Sequence, residues 1–359
     1  MGSESDRETT ADEGAGVVVT GASSELGQQV CALAAADPDV SRVIAVDRRP
    51  LPELPALVEC HRLDLRTADL KPIFQRASTV VHLAQPDDPT PGGPINVSTG
   101  EGAMARRVLE AAGAVGASHV VLLSSATVYG AWANNPVPLT EVAPLRPNPG
   151  VAMASEKVDA ERAAAEWRDD HPGSTVAILR PTVTVAAGGN GWLARALARS
   201  NARAVSDEEP PAQFLDVADL ASAVDLARRQ RLDGPRNVAP DGWITGDTVR
   251  ALAGGAPRLR VPERLAIRLA GLRWRWGLAD TPLELLPYTV HSWVIANDRL
   301  KADGWVPTAS NEEAYVGAHR AGPWATLSPR RRQEITLAAA AAALLGAAAG
   351  GIGLLRRRR

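Results

Sequence analysis

A glycine-rich turn and an aspartate downstream of it are the first residues whose types and spacing indicate a chemical role. The turn, Gly21–Gly27 (GASSELG), follows a short apolar run and precedes a helical pattern. Backbone N–H groups of such a turn, with the N-terminus of the following helix, can bind a pyrophosphate. Asp47 ends the next apolar run, twenty residues after Gly27, where a carboxylate can accept hydrogen bonds from an adenosine ribose. Together they predict a dinucleotide site, although either alone is also typical of an ordinary turn or strand end.

The elements around these residues predict a parallel sheet. Five short runs are apolar almost throughout, as in strands that are buried on both faces. Amphipathic stretches between them predict helices, and this alternation is typical of a Rossmann-type, doubly wound α/β fold. The predicted strands are 16–20, 42–46, 79–83, 119–124 and 175–179, and the predicted helices between them are 25–36, 95–114 and 153–168.

The rest of the chain predicts a smaller lobe, because the pattern after residue 180 becomes irregular and rich in Pro and Gly. Such a lobe commonly covers a substrate pocket. Short helices are predicted near 216–230, 246–253, 262–272 and 311–320. The predicted organisation is a disordered lead (1–14), a nucleotide-binding Rossmann domain (15–180), a small substrate lobe (181–323), a basic linker (324–334), a transmembrane helix (335–355) and a basic tail (356–359).

The segment 335–355 is the basis for predicting a single C-terminal membrane anchor. Its twenty-one residues carry no charge and are flanked by arginines on both sides, a length that spans a bilayer as a helix. An Ala-rich soluble helix is the alternative, but the segment lacks the polar face that a surface helix should show. Gly346 and Gly350 form a GxxxG pattern that is compatible with a homodimer. We place the body on the cytoplasmic face of the membrane, where a nucleotide cofactor would be available.

Charge and cysteine content exclude several classes of protein. The net charge is −2, yet residues 330–359 hold seven Arg against one Glu, so that the rest of the chain carries −8. This acidic body argues against nucleic-acid binding. The two cysteines, Cys31 and Cys60, are too few for a disulfide framework, and the histidines show no spacing typical of a metal site. His82, within a predicted strand, is expected to be structural.

Several motifs resemble one family of enzymes over residues 16–320. The chain resembles the extended short-chain dehydrogenases/reductases, specifically the NAD-dependent epimerase/dehydratase group, which includes sugar-nucleotide epimerases. SSATVYG is the most specific of the matching segments. These segments are TGASSELG (20–27), Asp47, Asp64-Leu65, HLA (82–84), NVSTG (96–100), SSATVYG (124–130), LRP (179–181) and FLDVADLA (214–221).

The resemblance implies NAD as the cofactor and a set of residues around it. Asp47 implies NAD rather than NADP, although Arg48 and Arg49 could meet a 2′-phosphate. Ser24 stands where the family has its middle glycine, and we expect weakened rather than abolished binding. The implied cofactor-binding residues are Gly21, Ser24, Leu26, Gly27, Asp47, Asp64, Leu65, Leu83, Ala84, Asn96, Ser124 and Lys157.

The resemblance also implies a catalytic set of Ser, Tyr and Lys, of which one member is replaced. Ser125 matches the serine and Lys157 the lysine, but Met153 stands four residues before Lys157, where the family has tyrosine. Methionine has no ionisable proton, so the usual acid/base is missing. Lys157 is one of only three lysines, which favours a retained cofactor pocket over a solvated helix lysine.

No other residue in the sequence obviously replaces the tyrosine. Tyr129 lies inside SSATVYG, where packing is the favoured role, and Tyr288 and Tyr315 lie in the second lobe without a local motif. Glu156 and Asp159 flank Lys157 but should point to other faces of the helix. We therefore expect a membrane-associated oxidoreductase, epimerase or dehydratase that acts on a nucleotide sugar or envelope precursor through a non-standard site. The alternative is a catalytically inactive NAD-dependent sensor or scaffold at the membrane.

Overall fold

The computed structural model describes residues 15–86, 95–187, 191–200, 210–253 and 283–319, together with 328, 330, 331, 333 and 334. The predicted disordered lead, transmembrane segment and basic tail lie outside the described residues. Within the described part of the chain, no helix has both the length and the apolar character needed to cross a bilayer.

Seven parallel strands form the main sheet, in the order β3-β2-β1-β4-β5-β6-β9. The parallel doubly wound sheet predicted from the sequence is therefore confirmed. Its strands are β1 (Ala15–Thr20), β2 (Val40–Asp47), β3 (Val58–Arg62), β4 (Ala77–His82), β5 (His119–Leu123), β6 (Thr175–Pro181) and β9 (Gly234–Val238), while β7 (Val183–Val185) and β8 (Phe214–Asp216) pair in a separate parallel ribbon.

Helices cover both faces of this sheet. On one face α1 and α5 pack on apolar residues such as Val17 and Val19, and on the other α2 and α3 pack on Val18 and Val80. Alternate residues of β1 thus point into two different cores, which explains why the strand is apolar throughout. The helices are α1 (Glu25–Ala36), α2 (Glu101–Ala114), α3 (Ala152–Asp170), α4 (Trp192–Ser200), α5 (Val217–Arg229), α6 (Gly246–Leu252), α7 (Pro287–Val290), α8 (Asp298–Ala302) and α9 (Asn311–Ala318).

Two edge strands are absent from the sequence prediction, because their sequences do not look buried. β3 reads VECHR and is largely exposed or half-buried, so it lacks the apolar run of a covered strand. β9 reads GPRNV and contains a proline, which the sheet tolerates at its edge. β9 falls in the range 181–323 predicted as the substrate lobe, so the lobe supplies the last strand of the main sheet.

The start of α2 also differs from the sequence prediction. The sequence pattern predicts a helix from residue 95, but the helix begins at Glu101, because Gly100 adopts a left-handed conformation with φ of 78°. Residues 95–100 instead form a loop that leads into the helix. In the second lobe, the helices predicted near 216–230, 246–253 and 311–320 are confirmed, and the one predicted at 262–272 lies outside the described residues.

Candidate active site

A cleft of about 550 Å³ opens at the carboxyl ends of the strands. The loops after β1, β2, β3, β4, β5 and β6 all contribute to it, and so does the beginning of α2. This is where ligands bind in open α/β sheets. We call one part the dinucleotide end (Gly21, Ser24, Leu26, Asp47 and Asp64) and the other the reaction end (Glu101, Ser125, Met153 and Lys157).

The glycine turn is packed so tightly that its two terminal glycines cannot carry a side chain. Gly21 has φ of 77°, and a Cβ there would lie 2.6 Å from the backbone N of Ala84. A Cβ on Gly27 would lie 2.3 Å from the carbonyl oxygen of Gly21. Gly27 therefore shapes the turn from behind, whereas Gly21 and Leu26 line the cleft.

Ser24 fits this turn without strain. Its φ is −71°, an ordinary conformation, and it is the N-cap of α1. The hydroxyl donates to the carbonyl oxygen of Gly21 (2.8 Å) and accepts from the N–H of Gly27 (3.0 Å). The N–H groups of Glu25 and Leu26 lie in the first turn of a helix, where they have no intrahelical partners. These two groups remain for a pyrophosphate, while the weaker binding expected from Ser24 stays a prediction.

Asp47 is held at the mouth of the cleft by backbone N–H groups. One carboxylate oxygen accepts from Ser23 (3.1 Å) and the other from Arg49 (2.9 Å). Each oxygen keeps a lone pair for a ribose hydroxyl. Asp64 also lines the cleft, and the side-chain hydrogen bonds from Arg66 lower the pKa of Asp64 to about 2.

The remaining predicted cofactor residues divide clearly. Leu65, Leu83 and Ala84 line the cleft, as does Ser124. Asn96 is exposed in the loop before α2 and is not among the described residues that line the cleft. Asn96 lies in this loop because the helix begins only at Glu101, and the cofactor-binding role that the resemblance implies for Asn96 stays a prediction.

The reaction end places Ser125, Met153 and Lys157 in the same cleft. The Ser125 hydroxyl oxygen accepts from the backbone N–H (3.2 Å) and the hydroxyl (3.0 Å) of Thr127. Its own proton is left to donate to a substrate oxygen. Met153 and Lys157 are one helical turn apart on α3 and share a face of that helix.

Lys157 forms a buried ion pair with Glu101, the first residue of α2. Both side chains are 5% exposed, and the Lys157 ammonium also donates to the carbonyl oxygen of Leu123 (3.3 Å). Lysine has three donors, so one remains for the cofactor or substrate. The sequence does not predict Glu101 as a site residue, because a helix predicted from residue 95 places Glu101 inside the helix. The sequence feature that could reveal Glu101 is an acidic residue directly after a glycine at the start of a helix.

Glu156, the neighbour of Lys157, fixes the beginning of α2. Its carboxylate accepts from the backbone N–H groups of Thr99 (2.7 Å) and Glu101 (2.9 Å), and from the hydroxyls of Ser98 and Thr99. Burial opposes the ionisation of Glu156, but these hydrogen bonds outweigh it and lower its pKa. Glu156 is not among the described residues that line the cleft, which agrees with the prediction from its helix position. Two adjacent residues of α3 thus hold the backbone and the carboxylate of Glu101.

None of the three tyrosines is among the described residues that line the cleft. The Tyr129 hydroxyl donates to Asn237 (2.8 Å) and accepts from Arg180 (2.8 Å), and burial raises its pKa to about 12. Tyr288 is buried and donates to a backbone carbonyl (3.0 Å), and Tyr315 stacks on a histidine ring. The structural role predicted for Tyr129 is confirmed.

Buried polar side chains near the reaction end are hydrogen-bonded to one another. The Ser124 hydroxyl donates to Glu161, which forms an ion pair with Arg180 (2.6 Å). His82, at the end of β4, bonds the Thr20 hydroxyl (2.7 Å). Burial and the nearby Lys157 charge lower the pKa of His82 to about 3, so that it is neutral at pH 7. These contacts agree with a structural role for His82.

The family model for the NAD dependent epimerase/dehydratase family matches residues 17–239, and the chain belongs to this family. The match covers the strands of the main sheet and every described residue that lines the cleft. Membership supports NAD as the cofactor, as predicted. Uncharacterised proteins of Mycobacterium tuberculosis (strain ATCC 25618 / H37Rv) and of Mycobacterium bovis are each 26% identical over 325 residues, covering 88% of this chain and 86% of the relative.

Solved structures of similar proteins confirm the Rossmann-type α/β fold. The chain is similar to UDP-glucose 4-epimerase of Thermus thermophilus in complex with NAD (TM-score 0.62, 21% identity, 84% and 97% of the two chains). It is also similar to MoeE5 in complex with UDP-glucuronic acid and NAD (0.61, 22%, 84% and 96%). A third similar structure is UDP-N-acetylglucosamine 4-epimerase from Bacillus cereus (0.61, 17%, 85% and 98%).

Proposed function

We propose that the protein binds NAD and acts as an oxidoreductase, epimerase or dehydratase on a nucleotide-linked sugar or a related envelope precursor. One observation carries the proposal. A single cleft contains both a turn whose first and last positions admit only glycine and a reaction end with Ser125 and Lys157. A cleft retained only for structure would not need both a turn closed to side chains and a buried lysine in the same cleft.

The residues of the cleft divide the work of binding and orientation. The turn between Gly21 and Leu26 would hold the pyrophosphate and Asp47 the adenosine ribose, while Lys157 would hold the nicotinamide ribose. NAD supplies a hydride acceptor when bound. Ser125 would donate to the substrate oxygen, which stabilises charge that develops there. The active site is non-standard because Met153 cannot take up the hydroxyl proton.

A nucleotide sugar is the substrate class that the similar structures favour. Two of them are 4-epimerases of UDP-linked sugars, and MoeE5 was solved with UDP-glucuronic acid. We therefore propose oxidation at carbon 4 of the sugar as the first step. The small lobe, with β7 and β8 beside the cleft, would cover the sugar.

The test is a substrate screen with the full-length chain in mild detergent. NAD-loaded protein is mixed with UDP-glucose, UDP-glucuronic acid or UDP-N-acetylglucosamine, and the nicotinamide absorbance and the sugar products are followed. We expect reduction or epimerisation with at least one sugar, and a Ser125→Ala variant slower by about 10²-fold because it loses one donor to the reacting oxygen. No reaction with any nucleotide sugar, at saturating NAD, would contradict the enzymatic function.

A catalytically inactive NAD-dependent sensor or scaffold is the second candidate, and Met153 is the observation that favours it. In that case the wild-type chain would bind NAD without turnover. Met153→Tyr places a phenol one turn before Lys157 and should then create turnover. If wild-type protein already turns over and Met153→Tyr changes little, the sensor interpretation is wrong.

We further propose that residues 335–355 anchor the protein to the cytoplasmic face of the cell membrane. The support is in the sequence: twenty-one uncharged residues between Arg330–Arg332 and Arg356–Arg359. The full-length chain should stay with membranes after alkaline extraction, and Leu344→Arg with Leu345→Arg should release it. Recovery of the wild-type chain in the supernatant would contradict the anchor.

Chemical cross-linking of the wild-type chain and of Gly346→Leu tests whether the GxxxG pattern mediates a homodimer.

A further inference from the structure

The Glu101 carboxylate is only half satisfied by its surroundings. One oxygen bonds the Lys157 ammonium, and the other, Oε2, is buried without a hydrogen-bond partner among the described residues. Buried carboxylate oxygens are normally hydrogen-bonded, so an unpartnered one needs a reason. Glu101 lines the cleft, so a ligand is the partner that the site can supply.

The position of Glu101 matches the gap in the catalytic set. Met153 and Lys157 lie on one face of α3, and Glu101 reaches that face from α2 to contact Lys157. Ser125 lines the same end of the cleft. The Ser125 hydroxyl, the Lys157 ammonium and the unpartnered carboxylate oxygen of Glu101 thus belong to one end of the cleft, where Met153 offers no ionisable group.

We propose that Glu101 is the proton-transfer residue of this enzyme and takes the place of the missing tyrosine. The inference rests on the proposed function. The Glu101 Oε2 atom accepts the proton of the sugar 4-hydroxyl while the carbon–hydrogen bond at C4 breaks and its electron pair leaves as hydride to the nicotinamide. The products are a 4-keto sugar, reduced cofactor and a neutral Glu101 carboxylic acid, which returns the proton when the ketone is reduced.

The supporting residues suit a shuttle of this kind. Lys157 stabilises the ionised carboxylate and stays in place when the carboxylate is protonated, because it also donates to the Leu123 carbonyl. Glu156 holds the backbone of Glu101 through its N–H group, so that the side chain projects from a fixed point. Glu101 would therefore touch the substrate, whereas Glu156 acts as a positioning residue.

The first arm of the experiment measures binding and does not depend on turnover. UDP-glucuronic acid and its 4-deoxy-4-fluoro analogue are titrated into the NAD-loaded full-length chain. The analogue has no 4-hydroxyl proton to donate, and a hydrogen bond to a charged group corresponds to a preference of at least about tenfold. We expect wild type to prefer the hydroxyl compound by this factor and Glu101→Gln to lose most of the preference.

The second arm measures turnover and includes a rescue. Glu101→Gln should slow nicotinamide reduction by about 10²–10⁴-fold, and adding Met153→Tyr should recover at least about tenfold, since a phenol then stands beside Lys157. Glu101→Asp, which keeps the carboxylate, should retain part of the rate. Glu110→Gln is the matched control, because it removes the same charge from an exposed position of α2. Thermal unfolding of each variant establishes that it is folded.

The outcomes separate this inference from the proposed function. An unchanged preference for the hydroxyl compound in Glu101→Gln, or an unchanged rate, overturns the role of Glu101 alone. If neither UDP-linked compound binds to the NAD-loaded chain, the proposed substrate class fails and the role of Glu101 fails with it. Loss of the preference in Glu101→Gln but not in Glu110→Gln supports the role even if the overall turnover is slow.

Discussion

At the dinucleotide end of the cleft the chain presents mainly backbone groups, whereas at the reaction end it presents buried charged side chains. In the glycine turn, no side chain fits at Gly21 or Gly27, so backbone groups line this part of the chain. At the reaction end, Lys157 and Glu101 neutralise each other away from water. No added atom fits at Gly21 or Gly27, whereas the reaction end brings ionisable side chains from two helices together. Under our proposal, this difference lets Glu101 serve at the reaction end, where the family resemblance implies a tyrosine at the position of Met153.

The largest expected effect comes from breaking the charge pair. Lys157→Met leaves Glu101 as a buried, unpaired carboxylate and should lower the free energy of unfolding by about 3–5 kcal/mol. Urea denaturation measures this loss. Lys71→Met is the control, because Lys71 is exposed and such surface changes usually stay within about 0.5 kcal/mol.

A second variant sharpens the same point. Combining Lys157→Met with Glu101→Leu removes both charges and should recover most of the lost stability, since no ion is left unpaired. Equal unfolding free energies for the single and the double variant would mean that packing, and not charge pairing, organises the reaction end.

His82 tests how strongly burial acts on an ionisable side chain near Lys157. Its pKa is about 3 in the folded protein and near 6.5 when unfolded, so between these values only the unfolded state binds the proton. Stability therefore falls as pH drops through this window, by up to about 1.4 kcal/mol per pH unit. From pH 6 to 4.5, His82→Asn should lose about 2 kcal/mol less than wild type.

The comparison isolates His82, because His119, whose burial lowers its pKa to about 4, is present in both proteins. Urea denaturation at each pH provides the two slopes. Parallel slopes for wild type and His82→Asn would contradict a neutral, desolvated imidazole at this position.

The smallest expected effect concerns Ser24 at the dinucleotide end. Ser24→Gly should lower the NAD dissociation constant a few-fold by letting the ligand approach the backbone, at a cost of only a few tenths of a kcal/mol in helix capping. Ser24→Ala should lose about 1 kcal/mol of stability without tighter binding, because it removes the cap and keeps a Cβ. Calorimetric titration distinguishes the two. NAD binding that is no tighter in Ser24→Gly would show that the hydroxyl already compensates.

The two ends also differ in how far the sequence reveals them. The helix from Glu25 to Ala36, the five central strands and the glycine turn follow from local patterns, and the structure confirms them. The pairing of Lys157 with Glu101 joins residues 56 positions apart and leaves no periodic signal. The edge strands β3 and β9 do not follow from local patterns, because neither has an apolar run: β3 is largely exposed or half-buried, and β9 is mostly buried but contains Pro235, Arg236 and Asn237.

The account depends above all on the dinucleotide site, and NAD titration into the full-length chain tests it most directly. Calorimetry should be done on wild type, on Gly27→Ala and on Gly317→Ala, which adds the same methyl group at an exposed helix position with no neighbours. We predict saturable NAD binding by wild type and Gly317→Ala, and an affinity at least about tenfold weaker in Gly27→Ala, because its Cβ would displace the backbone of the turn. Absence of NAD binding by the folded wild-type chain would contradict the account.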